Sequence, residues 1–265
     1  MDSLETPADS TLAPILAAPV APIPRPPRVW KFWGTALWGA FIFAAMFVGQ
    51  IVPMLAIVIW RAGKIDMAEA VHVAGDGRAL ALTVIFGLPA VLAAIWLPVH
   101  LSRTPFSDYL ALRWTTWQNL VIGILAMAFV VEGWDLLARA TGHGVTAGFM
   151  GDIMQSATAD GVLWLAVLAF AVVAPFTEEL LARGFLYRGW SESFLRVPGA
   201  IVLSSLVWTS MHIQYDLFFL GEVFSIGLVL GYIRYRSQSI WLTTLLHGLN
   251  NLAAVIQTVL LAGSH

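Results

Sequence analysis

Long apolar stretches alternate with short polar connections along most of the chain. A helix needs about 20 apolar residues, at about 1.5 Å each, to cross a hydrocarbon core of about 30 Å. The pattern predicts an all-α fold, a polytopic transmembrane helix bundle of about seven to eight spans, the eighth being a re-entrant or interfacial segment within 100–117 or 143–160. The seven predicted spans are 34–60, 79–100, 118–138, 161–189, 198–214, 217–233 and 239–262.

The distribution of prolines and ionisable residues divides the chain into three parts. Residues 1–29 contain seven of the thirteen prolines, which predicts a disordered, proline-rich cytoplasmic tail. Residues 30–140 hold the more apolar spans and are interpreted as scaffold transmembrane helices. Residues 141–265 carry most of the ionisable groups found inside spans and are interpreted as the working part.

The composition separates this chain from soluble proteins. Hydrophobic residues make up 59% and charged residues 11%, whereas a soluble domain has about 25% charged residues. The chain is therefore interpreted as an integral membrane protein in contact with the lipid bilayer. Its formal charge of -2 does not indicate a nucleic-acid partner. The absence of cysteine excludes disulfides, a thiolate nucleophile and cysteine-based zinc sites.

Lysine and arginine are unevenly distributed between the two sides of the predicted bundle. Because positive residues concentrate in cytoplasmic loops, the distribution predicts a cytoplasmic amino terminus. The start of the chain resembles no signal peptide, and the interpretation is a bacterial inner-membrane protein. Ten basic residues lie on the predicted inner side, Arg25, Arg28, Lys31, Arg103, Arg113, Arg183, Arg188, Arg196, Arg234 and Arg236, and four on the outer side, Arg61, Lys64, Arg78 and Arg139.

Two adjacent acids follow a run of sixteen uncharged residues, 162–177. Ionisable groups at membrane depth are costly and are functional candidates. Glu179 and Arg183 are four residues apart in the order that favours a helical ion pair. Glu178 is rotated by about 100° from its neighbour and can face a different partner. An acid without a cation in an apolar setting suits proton transfer; the alternative interpretation is an interfacial anchor.

Two later spans add polar residues at helical spacing. Trp208 precedes His212 by one turn, while His247 and Asn251 lie four apart on one face, with Gly248 allowing close helix approach. These side chains could converge with the unpaired glutamate in one interior pocket. The alternatives are a histidine at a hairpin turn and interhelical hydrogen bonding by the later pair.

Three further acids inside or near spans have no motif around them. They could extend a polar cavity, but an interfacial position is the preferred interpretation. These acids are Glu132, Asp135 and Glu222.

Three motifs in this order on three helices carry a family resemblance. They are Glu-Glu-x-x-x-Arg at 178–183, aromatic-x-x-x-His at 208–212 and His-x-x-x-Asn at 247–251. The chain resembles the CPBP intramembrane protease family, which includes the Ras-converting CAAX prenyl endopeptidase and bacteriocin-related Abi proteins. The resemblance covers about 105–260, including the segment 108–113, and implies a catalytic core within 141–265. Trp208 stands where the family usually has phenylalanine, an exchange expected to affect packing rather than chemistry.

The resemblance implies a glutamate-dependent endopeptidase. Glu178, helped by His212, would activate water to attack a peptide carbonyl. His247 and Asn251 would stabilise the oxyanion, which requires preorganised donors. Glu179 and Arg183 would give structural support.

A metal-assisted version remains open beside this one. Zinc could be held by Glu178, His212 and His247 with one open position, and Glu179 would then serve as the base. The metal-independent version is preferred, so no cofactor is required and zinc is the alternative.

The leading functional hypothesis is an endopeptidase acting on a membrane-anchored peptide or protein, with CAAX-type prenylated substrates as one class. A proton-coupled transporter could use the same ionisable residues as a relay, and would need aqueous access from both sides. A third hypothesis is a non-catalytic scaffold or bacteriocin-immunity protein with the same fold.

Overall fold

A computed structural model describes residues 27–144 and 148–262. Within these ranges the regular structure is helical and no strand occurs, which confirms the all-α prediction. Most of the predicted tail, residues 1–26, lies outside the described residues. The helices are α1 (Phe32–Ala62), α2 (Met67–Gly75), α3 (Gly77–Ser102), α4 (Phe106–Leu110), α5 (Trp117–Thr141), α6 (Gly148–Ala159), α7 (Leu163–Ser191), α8 (Arg196–Thr209), α9 (Leu217–Ser237) and α10 (Ile240–Ala262).

Five helices in the described part of the chain are long and apolar enough to cross a membrane: α1, α3, α5, α7 and α9. The protein is therefore an integral membrane protein. Helix α8 has 14 residues and extends only about 21 Å. Helix α10 has 23 residues and contains the polar residues His247 and Asn251. The count of seven to eight spans stays a prediction.

Local chemistry accounts for where the long helices begin and end. Helix α1 stops at Gly63, whose left-handed conformation lets its N–H bond the carbonyl of Ile59. Helix α3 starts after Asp76, whose carboxylate accepts a hydrogen bond from the Ala79 N–H at 2.9 Å. Asp216 caps α9 in the same way. These capping contacts therefore define the end of α1 and the starts of α3 and α9.

Helix α7 is the central helix of the bundle. In its most apolar 18-residue window 56% of residues are buried, against 33% or less in the other four candidate spans. Leu180, Leu181 and Phe185 are 0–1% exposed and belong to one packed cluster with side chains of α1, α3, α4 and α8. Because lipid is as apolar as these side chains, close van der Waals packing holds the cluster together.

Two π-helical segments interrupt α7, at Leu168–Val173 and Leu180–Leu186. In the first, the Ala174 N–H bonds a carbonyl five residues earlier, that of Ala169. Pro175 has no N–H, so the Phe170 carbonyl lacks the equivalent backbone donor. These wider turns flank the two adjacent acids, and π-helical turns occur frequently at functional sites.

Three short helices lie between the longer ones. Helix α2 was not anticipated from the apolar pattern, because it has only nine residues. Helices α4 and α6 fall within the two connections where an eighth, non-spanning segment was expected.

Candidate active site

A cavity of about 520 Å³ lies between α7, α8, α9, α10 and the faces of α1, α3 and α5. It brings together the four residues predicted to carry chemistry: Glu178, His212, His247 and Asn251. The two residues predicted as support, Glu179 and Arg183, lie behind the cavity and are not among its lining residues. Residues up to 73 positions apart in the sequence thus converge on one space.

Glu178 faces this cavity, with 15% of its side chain exposed. Its Oε2 accepts a hydrogen bond from the indole N–H of Trp208 at 2.6 Å. The Nε2 of His247 lies 3.9 Å from the same oxygen. Among the described side chains no hydrogen bond reaches Oε1, so this oxygen is available to a water molecule in the cavity.

Glu179 points away from the cavity into the packed interior. Its Oε1 accepts a hydrogen bond from the Arg183 guanidinium at 2.8 Å, and both side chains have no exposed surface. The guanidinium also donates to the carbonyl of Gly227 on α9 at 3.1 Å. The ion pair that the spacing predicts is present, and since a buried charge needs such partners, it fixes α7 against α9.

His247 lies between the two acids and is only 2% exposed. Its Nδ1 is 3.2 Å from Glu179 Oε1, so Nδ1–H donates to that carboxylate and Nε2 is directed towards Glu178. The sequence analysis assigned Glu179 no contact with a histidine. Because the contact joins residues 68 apart in the chain, helical spacing could not reveal it.

His212 reaches the cavity from a turn. The prediction that it lies inside a fifth transmembrane helix is wrong: it ends the 3-10 turn Ser210–His212, which follows α8. Its Nδ1–H donates to the Trp208 carbonyl at 3.1 Å. In the neutral ring, Nε2 is therefore the nitrogen that can accept a hydrogen bond.

Asn251 bonds to the carbonyl that Pro175 leaves without a donor. Its amide Nδ2 donates to the Phe170 carbonyl at 2.9 Å, and its second amide hydrogen remains for the cavity. One turn earlier, α10 approaches α7 closely, because a Cβ added to Gly248 would lie 2.5 Å from the Ala171 carbonyl oxygen. The predicted close approach at Gly248 is therefore present, and it holds α10 against the π-helical part of α7.

The residues suggested for zinc do not form a ligand set. Among the side chains that the structure describes, no group of three His, Cys, Asp or Glu residues is arranged to hold a metal ion. The oxygen of Glu178 that lies nearest to His247, Oε2, is already bound by the indole N–H of Trp208. The geometry of Glu178, His212 and His247 does not support the zinc version.

Other lining residues were missed or placed elsewhere by the sequence analysis. Asp135 and Glu222 line the cavity, as the alternative interpretation proposed, whereas Glu132 is exposed. The exchange of phenylalanine for Trp208 was expected to affect packing, but the indole N–H also binds Glu178, a contact that was not predicted. The signal was present in the sequence: a tryptophan adds a hydrogen-bond donor that a phenylalanine lacks.

The comparisons with known proteins agree with the motif-based resemblance. Residues 160–253 match the model of a family described as type II CAAX prenyl endopeptidase Rce1-like. An uncharacterised 24.3 kDa protein of Escherichia coli is 32% identical over 125 residues, which is 46% of this chain and 56% of that protein. The chain thus spans about half the length of this curated relative.

No solved structure matches the chain significantly. The matched segment contains all three motifs and every residue predicted for the site, from Glu178 to Asn251. The recognition of the CPBP-type family from these motifs is confirmed. Residues 160–253 of the chain are therefore similar to the type II CAAX prenyl endopeptidase Rce1-like family.

Proposed function

We propose that this protein is an intramembrane endopeptidase in which Glu178 activates a water molecule to cleave a peptide bond. The observation that carries the proposal is the convergence of Glu178, His212, His247 and Asn251 on one cavity of about 520 Å³. The family match supports an endopeptidase, and neither the transporter nor the scaffold alternative gains support from it.

The first step is attack by water on the carbonyl carbon of the substrate. Glu178 Oε1, the oxygen without a hydrogen bond, accepts a proton from the water as its oxygen bonds to the carbonyl carbon. The neutral His212 ring can hold the same water through Nε2, since its Nδ1–H is occupied by a backbone carbonyl. Both groups lie on the cavity surface, where a water and a peptide can meet.

The second step collapses the tetrahedral intermediate. The developing oxyanion receives hydrogen bonds from the second amide hydrogen of Asn251 and from His247 when its Nε2 carries a proton. Both donors are held in place by bonds to α7, so little reorganisation is needed. Glu178 returns its proton to the amide nitrogen as the C–N bond breaks, leaving a carboxylic acid and an amine, and the acid then loses its proton at neutral pH.

The proposed substrate is a membrane-associated peptide or protein, with CAAX-type prenylated chains as one class. Apolar residues of α1 and α3, including Met46, Leu88 and Val91, also line the cavity and suit an apolar anchor. The proposed location is a bacterial inner membrane with a cytoplasmic amino terminus, supported by the basic-residue distribution and by the relative from Escherichia coli.

The test is cleavage of internally quenched peptides by the purified protein in liposomes. One peptide carries a farnesylated carboxyl-terminal CAAX sequence, and a second has the same residues anchored by an amino-terminal acyl chain. We expect Glu178→Gln to lower kcat by about 100- to 10,000-fold, because general-base catalysis contributes on this scale.

Glu192→Gln is the matched control. Glu192 follows the end of α7, is 45% exposed and pairs with Arg188, so its loss should leave the rate within about twofold, as expected for a surface ion pair. A Glu178→Gln protein that cleaves at the wild-type rate would contradict the mechanism. Cleavage of the acylated peptide without cleavage of the farnesylated one would support the endopeptidase activity and contradict the proposal of CAAX-type substrates.

A further inference from the structure

Trp208 makes the shortest side-chain contact with Glu178 in the described structure. The tryptophan is 2% exposed, on α8, and its Nε1–H donates to Glu178 Oε2 at 2.6 Å. A hydrogen bond from a neutral donor to a carboxylate is about twice as strong as one between neutral groups. The bond restrains the carboxylate and leaves Oε1, rather than Oε2, to meet a water.

The same residue also contacts three further ionisable residues in or behind the cavity wall. Its backbone carbonyl accepts the Nδ1–H of His212. Its ring lies 4.5 Å from the Arg183 guanidinium carbon, in a cation–π arrangement. The rings of His212 and His247 meet it edge-on, with centroids 5.0 and 5.1 Å away. One side chain therefore contacts groups from α7, α10 and the 3-10 turn.

Helix α9 packs against the indole ring of Trp208. A Cβ added at Gly227 would lie 3.2 Å from the indole Cε3 and 3.0 Å from the Cβ of Ser205. The carbonyl of Gly227 also accepts a hydrogen bond from Arg183. The indole is packed where its N–H has one direction available, towards Glu178.

We propose that Trp208 is a positioning residue that sets the orientation of the Glu178 carboxylate for attack on the substrate. The inference rests on the proposed endopeptidase function and goes beyond it by naming the donor that orients the base. A phenylalanine at 208 would keep most of the ring packing and remove the hydrogen bond. Turnover therefore depends on the N–H, whereas substrate binding depends on the cavity surface.

The kinetic test compares Trp208→Phe with Trp190→Phe. Trp190 is a matched control because it is also buried, at 4% exposed, and donates its indole N–H to a carbonyl, that of Phe32. We expect Trp208→Phe to lower kcat by about 10- to 100-fold with KM within twofold, since a misplaced base loses rate on this scale. Trp190→Phe should change neither constant by more than about twofold. Equal kinetics for the two variants would overturn the inference.

A second measurement does not depend on activity. The midpoint of thermal unfolding in detergent is recorded for wild type, Trp208→Phe, Glu178→Ala and the double variant. If the indole binds Glu178, Trp208→Phe lowers the midpoint less in the Glu178→Ala background than in the wild type, because contacting residues are not additive. The changes in midpoint caused by Trp190→Phe and Glu178→Ala should be additive. Additive changes for Trp208→Phe and Glu178→Ala would contradict the contact between Trp208 and Glu178.

The two measurements separate failure of the inference from failure of the proposed function. If wild type cleaves neither peptide, the endopeptidase proposal fails and the thermal cycle alone decides whether Trp208 anchors Glu178. If wild type cleaves and Trp208→Phe matches Trp190→Phe, only the inference fails. Should Trp208→Phe not fold, 3-benzothienylalanine at position 208 replaces the N–H by sulfur in a ring of the same shape, and the same reduction in kcat is expected.

Discussion

The two adjacent glutamates of α7 have different surroundings, one on the cavity side of the helix and one on its packed side. On the cavity side, Glu178 is 15% exposed and has one neutral donor, the indole of Trp208. On the packed side, Glu179 has no exposed surface and its Oε1 contacts both the Arg183 guanidinium and His247. The charge of Glu179 is therefore neutralised by its partners, whereas the carboxylate of Glu178 is accessible from the cavity.

The comparison shows that the side of the helix on which an acid lies, and not its residue type, determines whether its charge is neutralised or remains accessible. A buried carboxylate with a cation and a hydrogen bond is fixed in one geometry. A carboxylate with one neutral donor and a free oxygen can still exchange a proton with water. His247 contacts both sides, so the packed ion pair also determines where the donor in the cavity lies.

The largest expected effect on stability comes from breaking the packed side. Arg183→Met leaves Glu179 buried without its cation, and removing one partner of a buried pair costs about 3–5 kcal/mol. We expect the unfolding midpoint in detergent to fall far more than for Glu178→Gln, which affects the cavity side. The measurement is thermal unfolding followed by circular dichroism.

The double variant Glu179→Gln with Arg183→Met is the control for this prediction. Because it removes both charges, it should recover part of the lost stability, as replacing a whole buried pair is less harmful than removing half of it. A double variant less stable than Arg183→Met would show that the loss comes from packing and not from the unpaired charge.

A smaller effect is expected where α10 meets α7. In Gly248→Ala the new Cβ would lie 2.5 Å from the Ala171 carbonyl oxygen, so the two helices must separate. Overpacking of this kind costs about 1–3 kcal/mol. The variant should lose both stability and peptidase rate, because His247 and Asn251 on the same helix would move away from the cavity; unfolding and cleavage assays measure the two losses.

Gly133→Ala is the matched control, since Gly133 lies within α5 and nothing is within 4 Å of an added Cβ there. It should be neutral or slightly stabilising because alanine favours helix more than glycine does. Equal losses for both variants would mean that glycine in general, and not the contact at Gly248, determines the result.

The smallest effect concerns an ion pair outside the bundle core. Burial raises the pKa of Asp76, but hydrogen bonds from the Ala79 N–H and Arg61 outweigh it, so the pKa lies below its ordinary value. Its stabilisation is therefore present at neutral pH and is lost as the pH falls below about 4. Asp76→Asn should cost at most about 1 kcal/mol at pH 7, as for other exposed ion pairs.

The measurement is the unfolding midpoint of Asp76→Asn and wild type at pH 7 and pH 3. The difference between the two proteins should be smaller at pH 3 than at pH 7, because protonation of the carboxyl removes its charge. Asp160→Asn provides the comparison, because Asp160 pairs with Arg78 only at 3.6 Å with both side chains over 40% exposed. A difference of the same size at pH 3 and pH 7 would assign the effect to something other than the charge of Asp76.

The apolar pattern predicted the long helices because length and hydropathy are encoded locally. The span 79–100 corresponds to α3 at Gly77–Ser102, and 118–138 to α5 at Trp117–Thr141. The span 198–214 was too long, since hydropathy does not distinguish the last turn of α8 from the 3-10 turn that carries His212. Helix ends depend on capping contacts, which an apolar window does not contain.

The part of the candidate site that depends on spacing within one helix was predictable from the sequence. Spacing indicated the pairing of Glu179 with Arg183, and the shared face of His247 and Asn251. It could not indicate the bond from Trp208 to Glu178, which depends on how α8 is placed against α7. Nor does a 3.6-residue period reveal π-helical turns, which reflect packing and the lack of a donor at a proline.

The π-helical segment Leu180–Leu186 accommodates one extra residue in α7. A π-type hydrogen bond spans five residues instead of four, so deletion of one residue here would let an ordinary α-helix form. Because the wider turn contains the extra residue, the residues beyond it would keep about the same direction relative to Glu178. Trp190 would therefore still face the Phe32 carbonyl to which it donates. A relative that is one residue shorter within this segment can therefore keep the packed surfaces on both sides of it.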